Sequence, residues 1–262
     1  EGVTDSFAQD GLAYSAGAEV DSGFGAFGLG ANWIWSEYDN GAGSTTEGNT
    51  YSVAAWWRGA WNGLQAHVRG SIGRSNFESE RVFTGEAGDR TISRDIAGDW
   101  NGTVYAASGG IAYEFGGGPF FVRPQVTVDY TRLAEDGYTE TGGGRLDLIV
   151  EDRTSDELGV NGGVAAGIDF MGKARGDDSW FRVEGEGGWR EIAGGSLGAT
   201  TARFGETGEQ FTLAPEQMES GWYAGLRALG GGARFELAGE LRLEDRLDAN
   251  AVALRGTLKV GF

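Results

Sequence analysis

The last twelve residues, Ala251 to Phe262, alternate without an error. Val252, Leu254, Gly256, Leu258, Val260 and Phe262 fall on one side, and Ala251, Ala253, Arg255, Thr257, Lys259 and Gly261 on the other. Successive side chains of an extended strand point to opposite faces, so the segment has one greasy face and one wet face and stops on an aromatic. This is the pattern of a strand in an outer-membrane barrel. Three other stretches repeat it. In 233–246, Ala233, Phe235, Leu237, Gly239, Leu241 and Leu243 oppose Arg234, Glu236, Ala238, Glu240, Arg242 and Glu244. In 120–132, Phe120, Val122, Pro124, Val126, Val128 and Tyr130 oppose Arg123, Gln125, Thr127, Asp129 and Thr131, with Phe121 the one apolar exception on the wet side. In 180–192, Phe181, Val183, Gly185, Gly187 and Trp189 oppose Arg182, Glu184, Glu186, Gly188 and Arg190.

Strand by strand, a soluble sandwich reads the same way. Length and spacing separate the two. The best stretches exceed the roughly 9 to 11 residues that a tilted strand needs to cross a bilayer. The separators also differ in size. Asp21-Ser22-Gly23, Asn62-Gly63, Gly116-Gly117-Gly118, Met171 to Asp178 and Gly230-Gly231-Gly232 are short, and Asn62-Gly63 is the strongest hairpin signal. Residues 39–48, 83–100, 135–156 and 194–219 are long, polar and rich in Gly, Asp, Glu and Thr. Short turns on one rim and long loops on the other are the habit of a bacterial outer-membrane barrel, with the turns periplasmic and the loops external.

Eleven candidate strands lie near 12–20, 24–38, 49–61, 64–82, 101–115, 120–134, 144–170, 179–193, 220–229, 233–246 and 251–262. If the Gly230 turn is periplasmic, the last strand runs inward and the chain ends in the periplasm. By parity the strand at 12–20 also runs inward, and an even-numbered barrel needs one outward strand before it. The expectation is an all-β, transmembrane, antiparallel up-and-down barrel of about twelve strands over 1–262, with residues 1–10 as a short segment or partial first strand.

Forty-nine Gly and 12% aromatics fit a protein of strands and tight turns. No run of 18 apolar residues suggests a spanning helix, and nothing at Glu1 resembles a signal peptide. Barrels escape hydropathy scales because half of each strand faces a wet interior. Cysteine is absent, which removes disulfides, thiolate catalysis and Cys-based zinc sites. The net charge of −18 speaks against a nucleic-acid partner. It places acidic outer loops near the phosphates of outer-membrane lipid and lipopolysaccharide.

Two groups of side chains follow from the alternation. The interior set is Glu19, Gln65, His67, Arg69, Arg123, Asp129, Asn161, Arg182, Glu184, Glu186, Arg190, Arg234, Glu236, Glu240, Arg242, Arg255 and Lys259. It mixes both signs at the roughly 4.8 Å strand spacing that permits cross-strand ion pairs. Polar filling of the barrel is its simplest use; handholds for a threaded chain, or Glu184 and Glu186 as an acid–base pair, are sharper ones. The second set is aromatic and gathers near strand ends: Trp33, Trp35, Trp61, Tyr113, Phe120, Tyr130, Trp180 and Trp222. Girdles at the two bilayer interfaces use aromatics in this way. Gly194-Gly195-Ser196-Leu197-Gly198 matches the G-x-S-x-G pattern, but it lies in a Gly-rich loop, and the single histidine, His67, lies within a strand. No enzyme, metal site or cofactor is expected.

Residues 120–170 resemble the translocator domain of type V secreted autotransporters. The resemblance rests on a strand carrying Pro124 and closing on Tyr130, followed by an Asp-Gly-Tyr-x-Glu loop at Asp136, Gly137, Tyr138 and Glu140. The final strand, with Leu254, Leu258, Val260 and terminal Phe262, resembles the assembly signal read by the barrel-insertion machinery. The resemblance implies an outer-membrane anchor that moves or displays an N-terminal passenger. No passenger and no amphipathic helix of ten residues precede residue 11 in this sequence. A stand-alone porin-like channel is the other reading, disfavoured by a length short for sixteen strands. A structural or adhesive barrel, binding a partner through loops 83–100, 135–156 and 194–219, is the third.

Overall fold

The computed structural model describes residues 8–40, 43–87, 89–171, 179–205, 208–215, 219–232, 234–246 and 249–261. In chain order the strands are β1 (Ala8–Ser22), β2 (Gly25–Asp39), β3 (Ser44–Trp61), β4 (Leu64–Ala87), β5 (Arg90–Tyr113), β6 (Phe115–Gly117), β7 (Phe120–Glu135) and β8 (Tyr138–Thr139). A single 3₁₀ turn at Gly144–Leu146 leads to β9 (Leu148–Val150), β10 (Arg153–Met171), β11 (Ser179–Ser196), β12 (Thr200–Phe204), β13 (Gln210–Leu213), β14 (Gly221–Gly232), β15 (Phe235–Arg246) and β16 (Ala249–Val260).

Eleven long strands form one meander in the order β1-β2-β3-β4-β5-β7-β10-β11-β14-β15-β16, with β6 pairing the start of β7. Every neighbouring pair is antiparallel. The first and eleventh strands therefore run the same way. No helix among the described residues is long and apolar enough to cross a membrane, which says nothing about strands.

The sheet curls into a half-barrel with its charged face inward. Side chains from strands two apart meet on that face: Arg123 of β7 reaches Glu184 of β11 across β10, and Arg58 of β3 reaches Glu19 of β1 across β2. Such convergence occurs on the concave side of a sheet. The polarity is inverted relative to a water-soluble protein: Leu254 on the outer face is 84% exposed, whereas Glu184 is 4% exposed. An apolar surface this continuous is stable against hydrocarbon rather than water.

Asn62 and Gly63 close the β3–β4 hairpin with φ of 45° and 89°. Both values lie in the left-handed region that a two-residue type I′ turn requires, which is why the Asn-Gly pair stands there. The long polar separator at 83–100 is not a loop. β4 and β5 continue as a 24-residue ladder each, paired in register from Leu64↔Tyr113 to Ala87↔Arg90. Polar composition outside the span signalled a loop, but a regular hairpin tolerates polar residues on both faces in water. The strand expected at 144–170 begins at Arg153, and 144–152 holds the 3₁₀ turn and β9 instead. Residues 8–10, expected in a partial first strand, belong to β1. Residues 1–7, most of the 171–178 turn and Phe262 lie outside the described residues.

Substituting Gly63 by Ala is expected to cost about 1–2 kcal/mol, the left-handed penalty of a side chain at that φ. A lower midpoint in urea-driven unfolding from lipid vesicles checks this, with Gly239→Ala, on an open outer-face strand position, as the near-neutral control.

Candidate functional site

Regular alternation along eleven neighbouring strands turns every second side chain, most of them polar or small, to the concave face. The charges there are organised by arginine. Glu184 accepts from Arg123 and Arg227, each at 3.0 Å, and Arg227 goes on to Glu240 at 3.4 Å. Arg182 clamps Asp169 at 2.7 and 2.9 Å and Glu114 at 2.9 and 3.2 Å, while its guanidinium lies 3.9 Å from the Phe121 ring centroid. Arg242 bonds Glu244 at 2.6 Å and Glu186 at 3.3 Å over the Tyr223 ring, and Gln125 donates to Glu186 at 3.0 Å. Arg190 pairs with Glu157, and Asn161 donates to Asp129 at 2.5 Å. Planar guanidinium groups suit this work because each offers several donors in a fixed fork. Glu184 and Glu186 are occupied as acceptors in this lattice.

Register places His67, Arg69, Glu236, Arg255 and Lys259 on the same face: His67 opposite Arg58, Glu236 opposite Lys259, Glu240 opposite Arg255. Arg69 donates to Asn32 of β2 at 3.3 Å. Gln65 shares their parity. Arg234 sits in the turn before β15, exposed, and its carbonyl accepts from Gly261. One expected position differs. Trp180 pairs opposite Gly231 on the charged side and is 7% exposed, so it is not part of an outer aromatic belt. Trp180 and Phe181 are consecutive, and the strand period sends only Phe181 outward.

The other aromatics Trp33, Trp35, Trp61, Tyr113, Phe120, Tyr130 and Trp222 carry outer-face parity, and Trp33 stacks on Tyr14 at 5.6 Å. Leu254, Leu258 and Val260 share that face, opposite Leu241, Leu237 and Phe235.

At the rim of the long hairpins a second sheet continues the first, in the order β13-β12-β9-β8. β8 follows β7, β9 precedes β10, β12 follows β11 and β13 precedes β14, so the wall rises in the order of the strands beneath it. Backbone bonds tie it to β5: Asp136 donates to Asn101 at 2.8 Å, and Ala97 and Thr141 exchange bonds at 2.9 and 2.8 Å. Two buried carboxylates pin it from inside. Glu140 accepts from Arg81 at 2.9 and 2.6 Å and from the Leu148 amide at 2.8 Å, and Arg81 also donates to the Leu146 carbonyl at 2.9 Å. Glu135 accepts from Arg153 at 2.6 and 2.8 Å and from the Trp100 indole at 3.0 Å, and Arg153 donates to Thr200 at 2.6 Å. The Glu140 carboxylate raises the pKa of Arg81 above its usual value, and Glu135 does the same for Arg153. Tyr138 stacks 4.4 Å from Trp100, and burial there raises its phenol.

Most of the interior set was visible as period two. The residues missed were Glu135 and Arg153, in the separator 135–156; Arg58, Arg81, Asp169 and Arg227, within expected strands but left out of the interior set; and the aromatics Trp56 and Tyr223, which point inward. Trp56-Trp57 carried the same adjacency signal as Trp180-Phe181.

Replacing Glu140 by Gln keeps the shape and removes the charge, leaving Arg81 without its buried partner. The expected local loss is about 3–5 kcal/mol. It shows as faster protease cutting within 140–150 while the strands stay protected. In an absorbance titration against Tyr138→Phe, the Tyr138 phenol ionises later than free tyrosine. Its contribution to rim stability is full below the unfolded phenol pKa and fades as pH rises through the higher folded one.

A protein-family model described as Autotransporter beta-domain matches residues 1–244. Among solved structures, the chain is similar to the translocator domain of the autotransporter NalP from Neisseria meningitidis, at 14% identity and a TM-score of 0.75, covering 98% of this chain and 82% of that one. It is also similar to the β domain of the Bordetella autotransporter BrkA, at 15% identity and a TM-score of 0.62, covering 98% and 91%. No curated protein matches by sequence.

Proposed function

We propose a mechanical role from one established premise: the chain belongs to the autotransporter β-domain family. As such it is an outer-membrane β-barrel that serves as translocator for a linked passenger. The reading extends to how these residues do that work. Residues 1–262 act as one unit whose outer face meets the hydrocarbon of outer-membrane lipid. Trp33, Trp35, Trp61, Tyr113, Phe120, Tyr130 and Trp222 anchor that face at the two interfaces. The inner arginine lattice stiffens the wall and offers a polar track along which an extended chain exchanges hydrogen bonds with water and side chains. Catalysis is not part of the role, since the interior carboxylates are committed to arginine and amide donors.

Orientation follows from the asymmetry of the rims. The short turns face the periplasm with the C-terminus, and the raised wall of β8, β9, β12 and β13 faces outside, near lipopolysaccharide. Leu254, Leu258 and Val260, with Phe262 beyond them, form the strip offered to the insertion machinery. The observation that carries the reading is the inversion of polarity across the sheet, with Leu254 exposed and Glu184 buried.

The test is surface display. A signal peptide and epitope-tagged segment fused before residue 1 should become protease-accessible on intact cells, and Leu241→Arg should reduce the folded barrel through its cost of about 2–4 kcal/mol against hydrocarbon. An epitope that stays in the periplasm beside a correctly folded barrel contradicts translocation. A Leu241→Arg protein that inserts as well as the parent contradicts the lipid-facing assignment.

A further inference from the structure

The outward face of the sheet changes character where the strands leave the apolar band toward the rim of the long hairpins. Going that way, the first outward charge on β1, β2, β3, β5 and β10 is a carboxylate: Asp10, Glu37, Glu47, Asp99 and Asp156. On β4 and β7 it is an arginine. Arg74 follows Val68, Gly70 and Ile72 on the outward side of β4, and Arg132 follows Val126, Val128 and Tyr130 on that of β7. The two strands flank β5, so the arginines lie roughly 10 Å apart across the sheet and one outward step apart along it.

Each arginine has a tyrosine directly opposite. Tyr51 of β3 pairs with Arg74 and Tyr105 of β5 with Arg132, and the two tyrosines are 56% and 44% exposed. Both guanidinium groups remain open to a ligand. Arg132 is exposed, and among the described residues its guanidinium holds no ion pair or hydrogen bond. Arg74 meets Asp136 Oδ2 through one nitrogen at 3.1 Å, with 55% of its side chain exposed. Thr103 of β5, opposite Arg74, adds a hydroxyl between them.

Arginine is costly against hydrocarbon and suited to the level where lipid phosphates begin. Reaching water needs no particular sign, as the carboxylates on five neighbouring strands show. Farther out, two outward steps beyond Arg74, Asp10, Glu37, Glu47, Glu78 and Asp99 stand opposite one another in a row. That row repels anions, so the arginines on β4 and β7 are the place where an anionic headgroup is welcomed on this part of the wall.

We propose that Arg74 and Arg132, with Tyr51, Thr103 and Tyr105, form a docking site for the phosphorylated headgroup of lipopolysaccharide. The site rests on the outer-membrane orientation given above, which sets the long hairpins outside. Arginine forks donate in pairs to phosphate oxygens, and tyrosine sits at headgroup level with its ring toward the acyl chains. A lipid held there covers the outer ends of the apolar stripes on β4, β5 and β7 and anchors the base of the tall β4–β5 hairpin in the leaflet.

Native mass spectrometry of the full chain, refolded in detergent and titrated with bisphosphorylated lipid A, tests the site on barrels that keep the folded mobility on gels. Arg74→Gln combined with Arg132→Gln should weaken binding about tenfold or more. Arg234→Gln, which removes a cation from the opposite rim, should leave binding unchanged. Dephosphorylated lipid A should bind the parent as weakly as the intact lipid binds the double variant. Asp136→Asn should tighten binding by releasing Arg74, whereas an arginine kept only to hold Asp136 predicts no gain. Parent-like affinity in the double variant, an equal loss from Arg234→Gln, weaker binding after Asp136→Asn, or equal affinity for phosphatidylglycerol overturns the site. Each of these outcomes is read on the purified barrel without a passenger, so it is distinct from a failure of surface display.

Discussion

Backbone pairing is the constraint on which the rest of this structure depends. Within hydrocarbon an unpaired peptide N–H or C=O costs several kcal/mol, so a chain that crosses in extended form must bond each strand to neighbours on both sides. The meander meets that demand with long, nearly unbroken registers; the β4–β5 ladder alone pairs 24 residues on each strand. Once pairing is fixed, the face of every side chain is fixed too, since a one-residue slip would turn Leu241 inward and Glu240 toward lipid.

Inversion of polarity sets the second layer. A charged interior is costly unless each charge is paired and bonded, and breaking one partner is worse than never having the pair. The concave face answers with arginines that each serve one or two carboxylates and lie on aromatic rings, Arg182 on Phe121 and Arg242 on Tyr223. Rigidity follows, because a guanidinium bonded to two strands fixes their spacing. A translocator needs this stiffness: the wall has to keep its shape while polar chain passes beside it. At the rim of the long hairpins the same device recurs, where Glu135 and Glu140 tie β8, β9 and β12 to the β4–β5 hairpin.

Legibility of the fold in the sequence tracked the strength of its physical signal. Strand existence, antiparallel order and inner-face parity were readable, because lipid on one side and charge on the other force strict period two, as at Leu237, Leu241, Glu236 and Glu240. Outside the span water wets both faces, so the period weakens, and the end of β4 beyond residue 82 and the part of β5 before residue 101 read as loop. The rim sheet was hidden for the same reason, although Tyr138 and Glu140 stood out within the Asp-Gly-Tyr-x-Glu segment. Consecutive aromatics misled at Trp180: clustering by sequence counts rings near an interface, while burial depends on parity. The side of the sheet for Trp56 and Tyr223 followed from the same rule and needed only that it be applied to aromatics as strictly as to charges.

The central claim is that lipid is the solvent of alternate side chains on these strands. A nitroxide scan along 235–245 of the chain in lipid bilayers tests it most directly, comparing collision with oxygen, which partitions into hydrocarbon, and with a water-soluble nickel chelate. The account predicts a strict two-residue oscillation, with oxygen dominant at 237, 239, 241 and 243 and the chelate gaining at 236, 238, 240 and 242. Equal accessibility to the chelate on both faces, or an oscillation of opposite phase, would contradict it.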